Sequence, residues 1–140
     1  MNKVFLLVDD DSDDSELFGE AMQENDPGIK VHSAANGREA FEVLGEIQRP
    51  DIIFLDINMP IMNGWECLAK LKTTSEFKDI PVIMYSTSSH KKDIDLAVET
   101  GAATFMSKPH DYQQLKNVLK NLTNHLDNGT IDQIGPVLTA

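Results

Sequence analysis

The chain has 140 residues, 41% hydrophobic and 25% charged, which suits one globular domain with a full core and leaves no room for a second. Its 23 Asp and Glu against 12 Lys and Arg give a formal charge of −11, the wrong sign for a protein that must neutralise nucleic-acid phosphates. No apolar run is long enough to span a membrane, and "MNKVFLLVDDD" reaches acids too early for a signal peptide, so the expected setting is the cytoplasm, with no membrane and no nucleic acid as partner.

In chain order, "KVFLLV" (3–8) predicts a buried strand, followed by a helix with Leu17, Phe18, Ala21 and Met22 on its apolar face and Asp13 and Glu16 placed as a capping box. That helix ends near "NDPG". "KVHSA" (30–34) alternates as an outer strand does, and Asn36-Gly37 leads into a helix turning Ala40, Phe41, Leu44 and Ile47 inward until Arg49-Pro50 closes it. "IIFLD" (52–56) is apolar on both faces, hence central, and the next helix carries Trp65, Leu68 and Leu71 on one side. "VIMYS" (82–86) repeats the pattern before a helix through Ile94, Ala97 and Val98 that Gly101 stops. "TFMS" (104–107) is the last strand. A helix over roughly 111–126 follows, with Leu115, Val118, Leu119, Leu122 and Leu126 as its core-facing stripe.

Five strand-helix units predict an α/β fold: a doubly wound (βα)5 domain of flavodoxin-like type with a parallel five-stranded sheet, over residues 1–126. Residues 127–140 form a tail. Its Ile131, Ile134, Val137 and Leu138 are more apolar side chains than a solvated end needs, so a frayed terminus and docking on the domain or a partner both stay open. Cys67, the only cysteine, makes no zinc spacing with His32, His90, His110 or His125 and reads as packing.

Open parallel sheets bind ligands beyond the carboxyl ends of their strands, which turns the sequence into a map of one rim. The first strand ends on Asp9, Asp10 and Asp11, the third on Asp56, the fourth on Ser86 and Thr87, and the fifth on Lys108 before Pro109. Alone, Asp56 reads equally well as the start of a turn, and Lys108 as a solvated lysine. Together they gather carboxylates that repel one another, which a hard cation such as Mg2+ explains. The EF-hand alternative for "DDDSDD" fails because residue 14 is Asp where that loop needs Gly. Asp9 and Asp10 are therefore assigned to metal, and Asp11, Asp13 and Asp14 to a solvated helix start favoured by the helix dipole. Lys108 is positioned to pair with Asp56 or with a phosphoryl oxygen.

The motifs "LLVDDD", "FLDINMPIMNGWE", "VIMYSTSS", "TGAATF" and "SKP" resemble the receiver domain of bacterial two-component response regulators, of the stand-alone chemotaxis type, from residue 3 to about 126. Within that family, "STSS" and "KTTSEFKDIP" are similar to the small receivers that accompany bacterial phytochromes. The resemblance implies a phosphorylation-activated switch that is not an enzyme acting on an external substrate. Asp56 would be the phosphoacceptor, and Mg2+ would be held by Asp9, Asp10, Asp56 and the backbone carbonyl of Asn58. Ser86, Thr87 and Lys108 would contact the phosphoryl group, and Lys108 would precede a cis Pro109. Phe105 stands at the switch aromatic, without a phenol hydroxyl, and would enter space vacated by Ser86. Asn58 and Ser88 would modulate phosphoryl lifetime. The implied partners are a sensor histidine kinase or phosphotransfer protein and a downstream protein target, with the chain a monomer or a phosphorylation-dependent homodimer. Two other readings keep part of the pattern. A phosphohydrolase of the haloacid-dehalogenase kind needs a second Asp where Asn58 stands, and a pseudo-receiver would not carry the full set of Asp9, Asp10, Asp56, Ser86 and Lys108.

Overall fold

Continuous apolar runs can be buried on both faces only if helices cover both sides of the sheet they form, and the chain does this throughout. The computed structural model describes residues 3–138. The elements are β1 (Val4–Val8), α1 (Ser12–Asn25), β2 (Lys30–Ala34), α2 (Gly37–Leu44), β3 (Ile52–Leu55), α3 (Gly64–Thr73), β4 (Val82–Ser86), α4 (Lys91–Thr100), β5 (Thr104–Ser107), α5 (Tyr112–Asp127), a single 3-10 turn (Ile131–Gln133) and β6 (Val137–Leu138). All strand pairs are parallel, in the order β2-β1-β3-β4-β5-β6. β1, β3 and β4 are buried along their whole length, whereas the outer β2 is half-exposed.

Alternate side chains of each strand enter two cores. On the α1 and α5 side, Phe5, Leu7, Phe54, Tyr85 and Met106 meet Phe18, Val118, Leu119 and Leu122. Phe18 stands edge-on to Phe54 at 4.8 Å between ring centroids, a favourable aromatic geometry. On the other side, Leu6, Val8, Leu55, Met84 and Phe105 meet Leu44, Leu68 and Ala97. Cys67 is buried there, and burial pushes its thiol up to about 12, so it packs as an inert apolar side chain. Among the described residues, no helix is long and apolar enough to cross a membrane.

Among the described residues the sheet has six strands where the alternation predicts five. Without the tail, β5 would be an edge with unpaired backbone groups. Instead Phe105 N–H donates to the Pro136 carbonyl at 3.0 Å, Thr104 Oγ1 donates to the Gly135 carbonyl at 2.8 Å, and Ile131 and Leu138 are buried against the α5 side. The tail thus docks on its own domain, and its two-residue strand is too short to show a period.

Smaller departures have local causes. The cap of α1 is Asp11, whose side chain accepts from the N–H groups of Asp13 and Asp14, in place of a box between Asp13 and Glu16. A carboxylate one residue before the helix reaches both free N–H groups of the first turn. That phase leaves Leu17 outside, 44% exposed, and Val98 of α4 is likewise 53% exposed. α2 ends at Leu44, so Ile47 lies in the following loop, half-buried.

Candidate functional site

Three ladder bonds fix the rim before any side chain is considered. Asp9 N–H donates to the Ala34 carbonyl at 2.9 Å, Asp56 N–H to the Val8 carbonyl at 2.9 Å, and Lys108 N–H to the Ser86 carbonyl at 2.7 Å. Each functional residue therefore sits one step past its strand yet is still hydrogen-bonded to the neighbouring one.

Asp9 and Asp56 are buried and Asp10 is exposed, and one carboxylate oxygen from each lies within 4.8 Å of the other two. Asp9 Oδ1 accepts from Asp11 N–H at 2.9 Å, and its Oδ2 accepts a hydrogen bond from Lys108 Nζ at 2.8 Å. Asp56 Oδ1 accepts from Ile57 N–H at 2.8 Å, and its Oδ2 lies 3.6 Å from Lys108 Nζ. The set is all-oxygen, carries more negative than positive charge and opens to solvent at Asp10. Such donors fit a hard divalent cation, and Mg2+ in particular, which keeps waters beside a few carboxylates.

Burial drives the Asp56 carboxyl up to about 6; the charge on Lys108 opposes that rise and the neighbouring Asp9 adds to it. Burial alone would push the Lys108 ammonium down, but its hydrogen bonds to Asp9 and Asp14 outweigh this and raise its pKa, so it stays charged. Tyr85 lies beneath, with Lys108 Nζ 5.3 Å from its ring centroid, and burial raises its phenol so that the ring stays neutral.

The remaining expected residues are distributed around this cluster. Ser86 is buried at the end of β4, and its Oγ accepts from Ser88 N–H at 3.1 Å. Ser88 Oγ donates to Asp93 Oδ2 in the first turn of α4 at 2.7 Å, and the Ser88 carbonyl accepts from Ser107 Oγ at 3.2 Å. Thr87 and Asn58 are exposed on their loops. Phe105 is fully buried on β5. The bond before Pro109 is trans, not cis: no cis peptide occurs among the described residues. Trans is the lower-energy isomer of an X–Pro bond, and here it is compatible with the Lys108 backbone and ammonium bonds described above.

Two participants lie outside the expected set. Asp14, assigned above to a solvated helix start, binds Lys108 Nζ at 2.9 Å; the acid run contains it, but nothing local says which of its members faces the rim. Gly64 begins α3 with its N–H on the Ile57 carbonyl at 2.8 Å, and a Cβ there would stand 2.2 Å from the Asp56 carbonyl oxygen. Only glycine lets α3 start that close to the acid, and the Asn63-Gly64 pair was the available signal. Between them, Ile61 adopts φ 70°, a left-handed conformation that strains a β-branched residue, and is 72% exposed.

The response regulator receiver domain family matches residues 5–120. A probable transcriptional regulator, ycf29, of Porphyra purpurea is 35% identical over 87% of this chain and 57% of its own length. The chain spans about half the length of such curated relatives. Among solved structures, the phosphorylated cyanobacterial phytochrome response regulator RcpA superposes with a TM-score of 0.84 at 29% identity, covering 92% of this chain and 96% of that one. The Mn(2+)-bound form of response regulator Rcp1 gives 0.77 at 27% identity, covering 87% and 92%.

Proposed function

The chain belongs to the response regulator receiver domain family and is a phosphorylation-responsive signalling domain, and from that premise we propose that Asp56 takes its phosphoryl group from a phosphohistidine of a sensor histidine kinase or phosphotransfer protein. The observation that carries this reading is the cluster of the Asp9, Asp10 and Asp56 carboxylates on one rim, with the Lys108 ammonium bonded to Asp9 and 3.6 Å from Asp56. A pKa near 6 leaves Asp56 ionised at neutral pH and hence nucleophilic, and Ile57 N–H fixes its orientation. An Asp56 oxygen attacks phosphorus in line; the O–P bond forms, the P–N bond breaks, and the imidazole leaves with its electron pair and takes up a proton. Lys108 donates to the phosphoryl oxygens as charge gathers on them. When bound, Mg2+ would be held by Asp9, Asp10, Asp56 and the Asn58 carbonyl and would neutralise the same charge; relatives reported as phosphorylated and as Mn(2+)-bound support this assignment. Water then attacks the acyl phosphate, the P–O bond to Asp56 breaks, and inorganic phosphate leaves, at a rate that Asn58 and Ser88 are assigned to tune.

The signal passes through the loop after β4. Ser86 Oγ accepts from Ser88 N–H, so its own proton is free to donate to the phosphoryl group, with Thr87 beside it. Any shift of Ser86 moves Ser88, and with it Asp93 and the start of α4. Phe105, buried on β5, signals by packing into the space that Ser86 leaves when it turns toward the phosphoryl group. The altered surface around α4, β5 and α5 then meets a downstream protein target.

Incubation with acetyl phosphate and Mg2+, followed by intact-mass measurement, tests the reading. One phosphoryl adduct, mapping to Asp56 and absent from Asp56→Asn, is expected. Continuous turnover of the phosphodonor without an adduct would support the hydrolase, and no reaction at all the pseudo-receiver.

A further inference from the structure

An ammonium has three protons, and Lys108 has committed two of them to carboxylates other than the acceptor. Its Nζ stands 2.8 Å from Asp9 and 2.9 Å from Asp14, both charge-assisted hydrogen bonds, but 3.6 Å from Asp56, which is beyond hydrogen-bond length. The two partners differ. Asp9 is covered and also held by Asp11 N–H, whereas the Asp14 side chain is 36% exposed on the first turn of α1. Water replaces the second contact far more readily than the first. Asp14 is placed where it is because Asp11 caps α1 and sets the phase of that turn.

We propose that Asp14 is a positioning residue that parks the Lys108 ammonium away from Asp56, so that phosphoryl transfer begins with Lys108 leaving Asp14. The inference rests on Asp56 being the acceptor. The arriving phosphoryl oxygens compete with one carboxylate for one cation, and Asp14 acts as a brake on loading. Removing its charge while keeping its shape releases the brake, and restoring a carboxylate restores it.

Two measurements on the full chain test this. In metal-free protein at low temperature, nitrogen-15 NMR of lysine ammonium groups should show a protected Lys108 signal in the parent and in Asp14→Glu, exchange-broadened in Asp14→Asn. With acetyl phosphate and Mg2+, Asp14→Asn should load Asp56 about 3- to 10-fold faster, the range one partly exposed charged hydrogen bond commands, and Asp14→Glu close to the parent rate. In a Lys108→Gln background the acceleration should vanish. An undiminished acceleration there would mean that Asp14 acts through its field on the anionic donor, and an unchanged Lys108 signal in Asp14→Asn would mean that no clamp exists; either overturns the proposal. Where Lys108→Gln takes no phosphoryl group, the ammonium spectrum decides. A parent that never loads Asp56 defeats the acceptor assignment, while the spectrum still judges the clamp.

Discussion

β5 ends among charges and is flanked by grease. At its carboxyl end Lys108 sits among Asp9, Asp14 and Asp56, while along its open side Ile131 and Leu138 of the tail are buried and Phe105 shares a backbone bond with Pro136. The flank follows the ordinary logic of folding, in which apolar area leaves water and an edge is paired. The rim does the opposite: it buries two carboxylates beside a third, raises Asp56 toward neutrality and holds Ile61 at a strained φ. In this receiver domain, local stability and chemical readiness are thus separated by a few residues of one strand.

Removing the flank is the largest perturbation. Deletion of residues 129–140 exposes the surface under Ile131 and Leu138 and should lower unfolding stability by about 3–5 kcal/mol, two buried aliphatic side chains' worth. An unmoved midpoint in urea would show that the tail contributes nothing and dissolve the contrast.

The rim should respond to counter-charge instead. Mg2+ at a hundred times its dissociation constant should stabilise the parent by about 2.7 kcal/mol over chelator, and Asp10→Asn by much less, read from melting curves at constant ionic strength. An equal response of the two proteins would remove Asp10 from the metal site.

Titration gives a third separation. A carboxyl whose pKa is raised from an unfolded value near 3.9 to about 6 binds its proton more tightly in the folded state, so it favours folding below about pH 4 and loses that contribution as pH rises through 6. Asp56→Asn cannot ionise. In chelator it should therefore be more stable than the parent above pH 6, by about 1–2 kcal/mol, with the gap closing as pH falls to 4. A gap of constant size across that interval, measured by urea unfolding, would refute the raised pKa.

The smallest effect concerns Ile61. Asn tolerates the left-handed region that Ile resists, so Ile61→Asn should raise stability by about 0.5–1 kcal/mol. A loss of stability would mean that the exposed side chain is held by contacts worth more than its strain.

Most of the scaffold and most of the rim were legible in the sequence. The five strands expected are β1 to β5 of the six: continuous apolar runs give the inner strands, since burial on both faces demands them, an alternating run gives the outer β2, and the strand ends fall on the carboxyl rim. Asp9, Asp10, Asp56, Ser86 and Lys108 are all found there. What failed was of another kind. Asp13 and Glu16 satisfy a capping-box spacing that Asp11 pre-empts, and Leu17 satisfies an apolar periodicity that the packed helix turns outward.

The sequence by itself determined the alternation of strand and helix, the parallel sheet and the acids at its edge, since these depend on spacings of a few residues. Only the tertiary structure decided that Asp14 rather than Asp13 reaches Lys108, that Phe105 rests inside, that Gly64 must lack a Cβ beside Asp56, and that Val137 and Leu138 complete the sheet. Each of these depends on how one element is rotated or seated against another far away in the chain. The free energy that sets this comes from long-range packing and charge pairing, which local periodicity does not encode.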